Sequence, residues 1–172
     1  MLLATNHTNS HPSTAVAEYR HDLNSYLDRI WHDFFPDTPR INEVHIAYCY
    51  PWKTRLGLIR LSLDKMVLFI GINTLLQLQQ VPECVLTTTI AHEMVHYAQG
   101  FGSPLPRTCE HPHANKVVER ELERRELGEA LSRCNEWIDK YWFPFYDIER
   151  GSGRTGVDDS HHRHATFSYR LA

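Results

Sequence analysis

Apolar residues recur at a helical period through Val16, Tyr19, Leu23, Tyr26, Leu27, Ile30, Trp31 and Phe34, and Pro36 and Pro39 close the run. This predicts a first helix from residue 15 that lies as a lid on the core. Residues 41–50, INEVHIAYCY, alternate in part through Ile41, Val44, Ile46 and Tyr48 and predict a strand, with His45 as a strand residue. Residues 52–61 and 66–72 are two more β-prone stretches about Ser62-Leu63-Asp64-Lys65, which predicts a hairpin and a sheet of three antiparallel strands. Asn73 can cap a short helix to about Gln80, and Val81-Pro82-Glu83 opens a longer one. On that helix Leu86, Ile90, Met94 and Tyr97 form an apolar stripe and Gly100 supplies the stop, so it is expected to be amphipathic, with its histidines on the polar side.

Gly102, Pro104, Pro106 and Pro112 then enforce a loop. A charged helix is predicted over 114–127, with Glu121 and Arg125 spaced to pair at its surface; Gly128 interrupts it. A last amphipathic helix runs over 129–141 through Leu131, Cys134, Trp137, Ile138 and Tyr141. Trp142, Phe143, Phe145 and Tyr146 follow, expected to pack on the first helix or on a partner. The fold class implied is α+β, with a domain over 15–148. Residues 1–14 and 149–172 are polar and aperiodic and read as disordered, and no role is assigned to His7, His11, His161, His162 or His164.

Composition narrows the picture. The 172 residues suffice for one domain, and a net charge of −3 offers no global attraction to nucleic acid or anionic membrane. Arg120, Arg124, Arg125 and Arg133 alternate with glutamates, which reads as a solvated helix rather than a basic face. Cys49, Cys84, Cys109 and Cys134 contain no C-x-x-C pair and form no zinc ribbon. The opening MLLATNHTNS lacks the pattern of a secretory leader, and no stretch approaches the ~18 apolar residues of a membrane span. The expectation is a cytoplasmic protein with buried free thiols.

The chemistry concentrates in His92-Glu93-Met94-Val95-His96, the H-E-x-x-H arrangement of zinc-dependent hydrolases. Residues four apart on a helix share a face, so both imidazoles can reach one Zn2+ at about 2.0–2.1 Å. Glu93 falls beside that ion, where a general base can take a proton from an activated water. A catalytic zinc takes three protein ligands, and His113, its neighbour His111 and Glu119 on the following helix are the candidates for the third. Tyr97, Tyr50 and Arg107 are candidate oxyanion donors, although Tyr97 falls on the core stripe.

At these residues the chain resembles the SprT-like zinc metallopeptidases. The likeness spans residues 15–116: a first helix ending in Phe34-Phe35, a strand, Lys53-Thr54-Arg55-Leu56-Gly57, then Ile72-Asn73, the pair Leu75-Leu76, and Ile90-Ala91-His92-Glu93-Met94-Val95-His96. The resemblance implies a zincin-like fold, in which a small antiparallel sheet packs against an N-terminal helix and the H-E-x-x-H helix, with further helices behind. It also implies a third ligand from a histidine opening a helix after a variable loop, a place His113 fits best, though Ala114 stands where glycine is usual. The activity implied is zinc-dependent cleavage of a protein or peptide substrate. Many members also carry a C-terminal zinc ribbon and act in a DNA-associated way, for which this chain's charge and lack of paired cysteines give no support. The competing reading is a non-catalytic zinc-stabilised binding module, possible also with nucleic acid. Glu93 speaks against it, because a structural site closed by four ligands has no use for a carboxylate beside an open position.

Overall fold

Asp22 accepts a hydrogen bond from the Asn24 amide at 3.1 Å and caps α1 (Leu23–Phe34). Leu23, Leu27, Ile30 and Trp31 are its buried stripe, at the spacing the sequence predicts. The computed structural model describes residues 22–108, 110, 111 and 116–151; Val16, Tyr19, the segment 1–14 and the tail beyond 151 lie outside these. The Trp31 ring meets Tyr97 edge-on at 5.1 Å while its indole N–H donates to the Thr38 carbonyl at 2.8 Å. That pair fastens α1 to the central helix and to its own exit loop.

The strands are β1 (Glu43–Cys49), β2 (Gly57–Leu61) and β3 (Val67–Asn73), in the order β1-β3-β2. The β2–β3 hairpin forms as expected, with Lys65 in the left-handed region at φ 61°. The three-stranded antiparallel sheet is corrected, however: β1 runs parallel to β3, so the sheet is mixed. The cause is placement of the most buried strand. β3 carries Leu68, Ile70, Gly71, Ile72 and Asn73 inside and takes the centre, while residues 50–56 carry the chain past it to the far edge. Alternation specifies which face a strand buries, and says nothing of which neighbour it pairs with. His45 is an exposed strand residue whose Nε2 lies 2.9 Å from Glu43.

Asn73 caps the short 3-10 turn Thr74–Gln77 by accepting from the Leu75 amide at 3.1 Å, and Pro82 then precedes α2 (Glu83–Ala98). The expected amphipathic character of α2 does not hold. From Thr88 to Tyr97 every residue is buried, because the helix is wrapped by α1, the sheet, α3 (Val117–Arg124) and α4 (Gly128–Trp137). Its polar residues close their own hydrogen bonds where they can: the Thr88 and Thr89 hydroxyls donate to the Cys84 and Val85 carbonyls, each at 2.7 Å.

Behind α2 the helices depart from expectation in three respects. Glu126, at φ 65°, makes the break between α3 and α4, and Gly128 opens α4 instead of interrupting α3. Ile138–Trp142 forms a π turn leading into α5 (Phe143–Glu149), and the buried stripe runs on through Ile138 and Trp142 instead of Tyr141. Trp142 is fully buried and Tyr141 is 46% exposed. The aromatic group pairs around Trp142 and packs on residues 51–53 instead of α1, with Tyr146 donating to the Pro51 carbonyl at 3.1 Å. Cys134 is buried and its thiol pushed up to about 12 by that burial, whereas Cys49 and Cys84 are half-buried.

Arg125 is the third departure. It bonds Glu121 at 2.8 Å as the spacing suggests, yet its side chain is 6% exposed and not at the surface. It lies over the Phe35 ring at 4.2 Å and donates to the Phe34 carbonyl at 2.6 Å and to Asp37 at 2.7 Å. The guanidinium holds the Asp37 carboxyl below its usual range, and with Arg124 it does the same to Glu121. The end of α1 and the end of α3 thus share one cation. Arg125→Met, which keeps the stem and removes the donors, is expected to lower stability by about 2–3 kcal/mol in urea denaturation; a loss below about 0.5 kcal/mol would show the network to be inconsequential.

Candidate metal centre

His92 and His96 occupy successive turns of α2, and burial by the elements around the helix leaves them 4% and 0% exposed. Their Nε2 atoms are 3.0 Å apart, with ring centroids at 4.8 Å and planes at 75°. Two nitrogen ligands of one tetrahedral zinc lie roughly 3.3 Å apart. The pair is therefore within a few tenths of an ångström of the separation at which both lone pairs can serve one ion. Without an ion the same contact is a single Nε2–H···Nε2 hydrogen bond.

Glu93 is 1% exposed, and its Oε2 meets no hydrogen-bond donor among the described residues. Such a carboxylate is costly, and burial pushes its pKa up to about 8, with the Arg55 charge pulling the other way. Its position depends on Gly57 at the start of β2. A Cβ there would lie 2.7 Å from Glu93 Oε1 and 2.9 Å from Thr89 Cγ2, so only glycine lets strand and helix close over the carboxylate. Asn73, itself fully buried, donates through Nδ2 to the Trp52 and Arg55 carbonyls at 2.7 and 2.8 Å. This fixes the segment that carries Arg55.

After α2 the chain turns at Gly100, φ 80°, where a Cβ would be 2.6 Å from the Pro106 carbonyl oxygen. Ser103 donates to the Tyr97 carbonyl at 2.6 Å, and Phe101 stands edge-on to His96 at 6.4 Å. The loop therefore folds back beside the histidines, as its prolines suggest.

The third-ligand candidates fare differently. His113 lies outside the described residues. The His111 side chain is 76% exposed, with Glu110 at 3.9 Å, and Glu119 is half-buried on the first turn of α3. Among the described residues no three His, Cys, Asp or Glu side chains converge. Neither His111 nor Glu119 is therefore brought to the imidazole pair.

The oxyanion candidates are dispersed. The Tyr97 hydroxyl donates to Asn42 Oδ1 at 2.9 Å and accepts from the Ile41 amide at 3.1 Å, Tyr50 is 66% exposed, and Arg107 lies over Phe101 at 4.6 Å. The positively charged group that acts on Glu93 is instead Arg55. Sequence reasoning missed it in this role, as it missed the tight place of Gly57. A signal was present: a lone glycine in a β-prone run marks a close approach of another element, and Arg55 is two residues before it.

A cavity of about 410 Å3 opens between Pro39, Gln99, Leu105 and Arg125, but neither the histidines nor Glu93 line it. Its charged walls, Asp37, Glu121 and Arg125, are already paired with each other. No described helix is long and apolar enough to cross a membrane. Comparison with protein-family models, with curated proteins and with solved structures finds no match.

Two outcomes are expected. Gly57→Ala should cost about 1–3 kcal/mol in denaturation, because the methyl displaces Glu93 or the strand; an unchanged midpoint would contradict the close packing. In chelator-treated protein, the raised pKa means that folding keeps Glu93 protonated. Its contribution is complete below the unfolded value of about 4.5 and is lost as pH rises towards about 8. Wild type should therefore lose a few kcal/mol relative to Glu93→Gln between pH 4.5 and 8.5. Parallel stability–pH curves for the two proteins would show that Glu93 does not titrate in the core.

Proposed function

We propose that the chain is a zinc-dependent metalloendopeptidase, resembling the SprT-like enzymes, that hydrolyses peptide bonds of a protein substrate. The observation that carries this reading is the buried His92–His96 pair at 3.0 Å with Glu93 enclosed beside it and Oε2 lacking a donor. A carboxylate that is desolvated without a partner is expensive in a purely structural place, and it suits a group that must accept and release a proton.

The donor set fits zinc: two neutral imidazoles one turn apart, with a third donor sought at His113. When bound, zinc supplies Lewis acidity for the scissile carbonyl, lowers the pKa of water towards ~7 and favours the ionised form of Glu93. The remaining chemistry belongs to the chain. Glu93 takes the proton of the attacking water and passes it to the departing amine, and the packing of Gly57 keeps the carboxylate on that path. Arg55 brings positive charge to the same end of the site. Burial of the imidazoles keeps bulk water from competing.

Substrate has a natural track. β2 is an edge strand, it begins against Glu93, and its outer side has no strand partner among the described residues. A peptide added there gains main-chain hydrogen bonds irrespective of its side chains, so selectivity rests on access. Arg124 and Arg125 pair with Asp37 and Glu121.

Glu93→Gln tests turnover directly. The expected result is loss of cleavage of an unfolded protein substrate by about 10²-fold or more, with zinc content and fold retained. His92→Ala, His96→Ala and His113→Ala should each lower zinc stoichiometry. Cleavage that persists in Glu93→Gln would favour the zinc-stabilised binding module with a contaminating protease, and full zinc content in His113→Ala would send the search for the third ligand elsewhere.

A further inference from the structure

The segment that brings Gly57 to Glu93 is fastened from two directions. From the sheet, Asn73 holds the Trp52 and Arg55 carbonyls at 2.7 and 2.8 Å. From the C-terminal helices, Trp142 Nε1 donates to the Lys53 carbonyl at 2.7 Å and the Tyr146 hydroxyl to the Pro51 carbonyl at 3.1 Å. Lys53 Nζ adds an ion pair to Asp147 at 3.0 Å. Four of the five carbonyls from Pro51 to Arg55 are thus occupied by side chains remote in sequence.

Trp142 stands apart in this set. It is fully buried, its indole nitrogen is its one polar atom, and that atom is aimed at the segment. It lies on the buried stripe of Leu131, Cys134 and Ile138, at the end of the π turn Ile138–Trp142. Single π turns inside helices are rare and occur frequently at functional sites. Here Trp142 is inside and Tyr141 is 46% exposed.

We propose that Trp142 is a positioning residue of the hydrolytic site: its indole N–H holds residues 51–56 so that Gly57 stays pressed on the Glu93 side of α2. The consequence for turnover rests on the peptidase reading, whereas the mechanical role does not. The C-terminal helices are then part of the site's support, although none of their side chains is required to meet substrate.

The test is Trp142→Phe, which keeps an aromatic ring and removes the donor, with Tyr146→Phe as a milder second variant and Trp137→Phe as a control that alters the same aromatic cluster without touching the segment. Amide hydrogen exchange is followed along the zinc-loaded chain, together with zinc content, kcat and KM on an unfolded protein substrate. In Trp142→Phe, exchange over residues 53–57 is expected to rise about tenfold or more while that of α2 is unchanged, and kcat to fall about tenfold with KM within about twofold. Tyr146→Phe should give a smaller change of the same kind, and Trp137→Phe none. Unchanged exchange at 53–57, a uniform rise along the whole chain, or a local rise with normal kcat would each overturn the proposal. If wild type shows no turnover that Glu93→Gln abolishes, the peptidase reading fails by itself. The exchange data then still decide whether Trp142 holds the segment.

Discussion

The structure is organised around a helix whose most polar residues lie in the core. In an ordinary surface helix, histidines and glutamate face water and the apolar stripe faces in. In α2 the stripe and the ionisable face are both covered, and His92, Glu93 and His96 are as buried as Met94 and Tyr97 beside them. Burying a carboxylate and two imidazoles opposes folding unless the surroundings are tightly defined. Much of the neighbouring architecture can be understood as that definition.

Three kinds of support are visible. Glycine supplies closeness: Gly57 lets β2 lie directly on the Glu93 carboxylate. Side-chain hydrogen bonds supply rigidity, since Asn73 and Trp142 take up carbonyls of an irregular segment that has no sheet ladder to satisfy them. Charge supplies anchoring at the other end, where Arg125 ties the exit of α1 to α3. These features come from five different elements, so the environment of α2 is a property of the whole fold. No local segment could hold it alone.

This arrangement also connects energetics with the proposed chemistry. A carboxylate in water has a low pKa and many competing hydrogen-bond donors. Enclosed as Glu93 is, it has neither, and burial raises its affinity for a proton while no ion is bound. The nearby Arg55 charge opposes that shift without cancelling it. The same burial weakens the fold at high pH, where an enclosed Glu93 must ionise.

What the sequence determined by itself is what rests on short-range periodicity and stereochemistry. The stripe of α1, the hairpin turn at Lys65, the Asn73 cap, the proline before α2, the glycine after it and the one-turn spacing of His92 and His96 all follow from the geometry of a few consecutive residues. Tertiary structure alone decided the rest. It set β1 parallel to β3, because burial pattern names a strand's face and not its neighbour. It buried the polar side of α2 and drew Arg125 inward, because covering elements arrive from distant parts of the chain. It buried Trp142 and left Tyr141 half-exposed, and it set Gly57 against Glu93 from 36 positions away, a proximity that exists only once sheet and helix have packed.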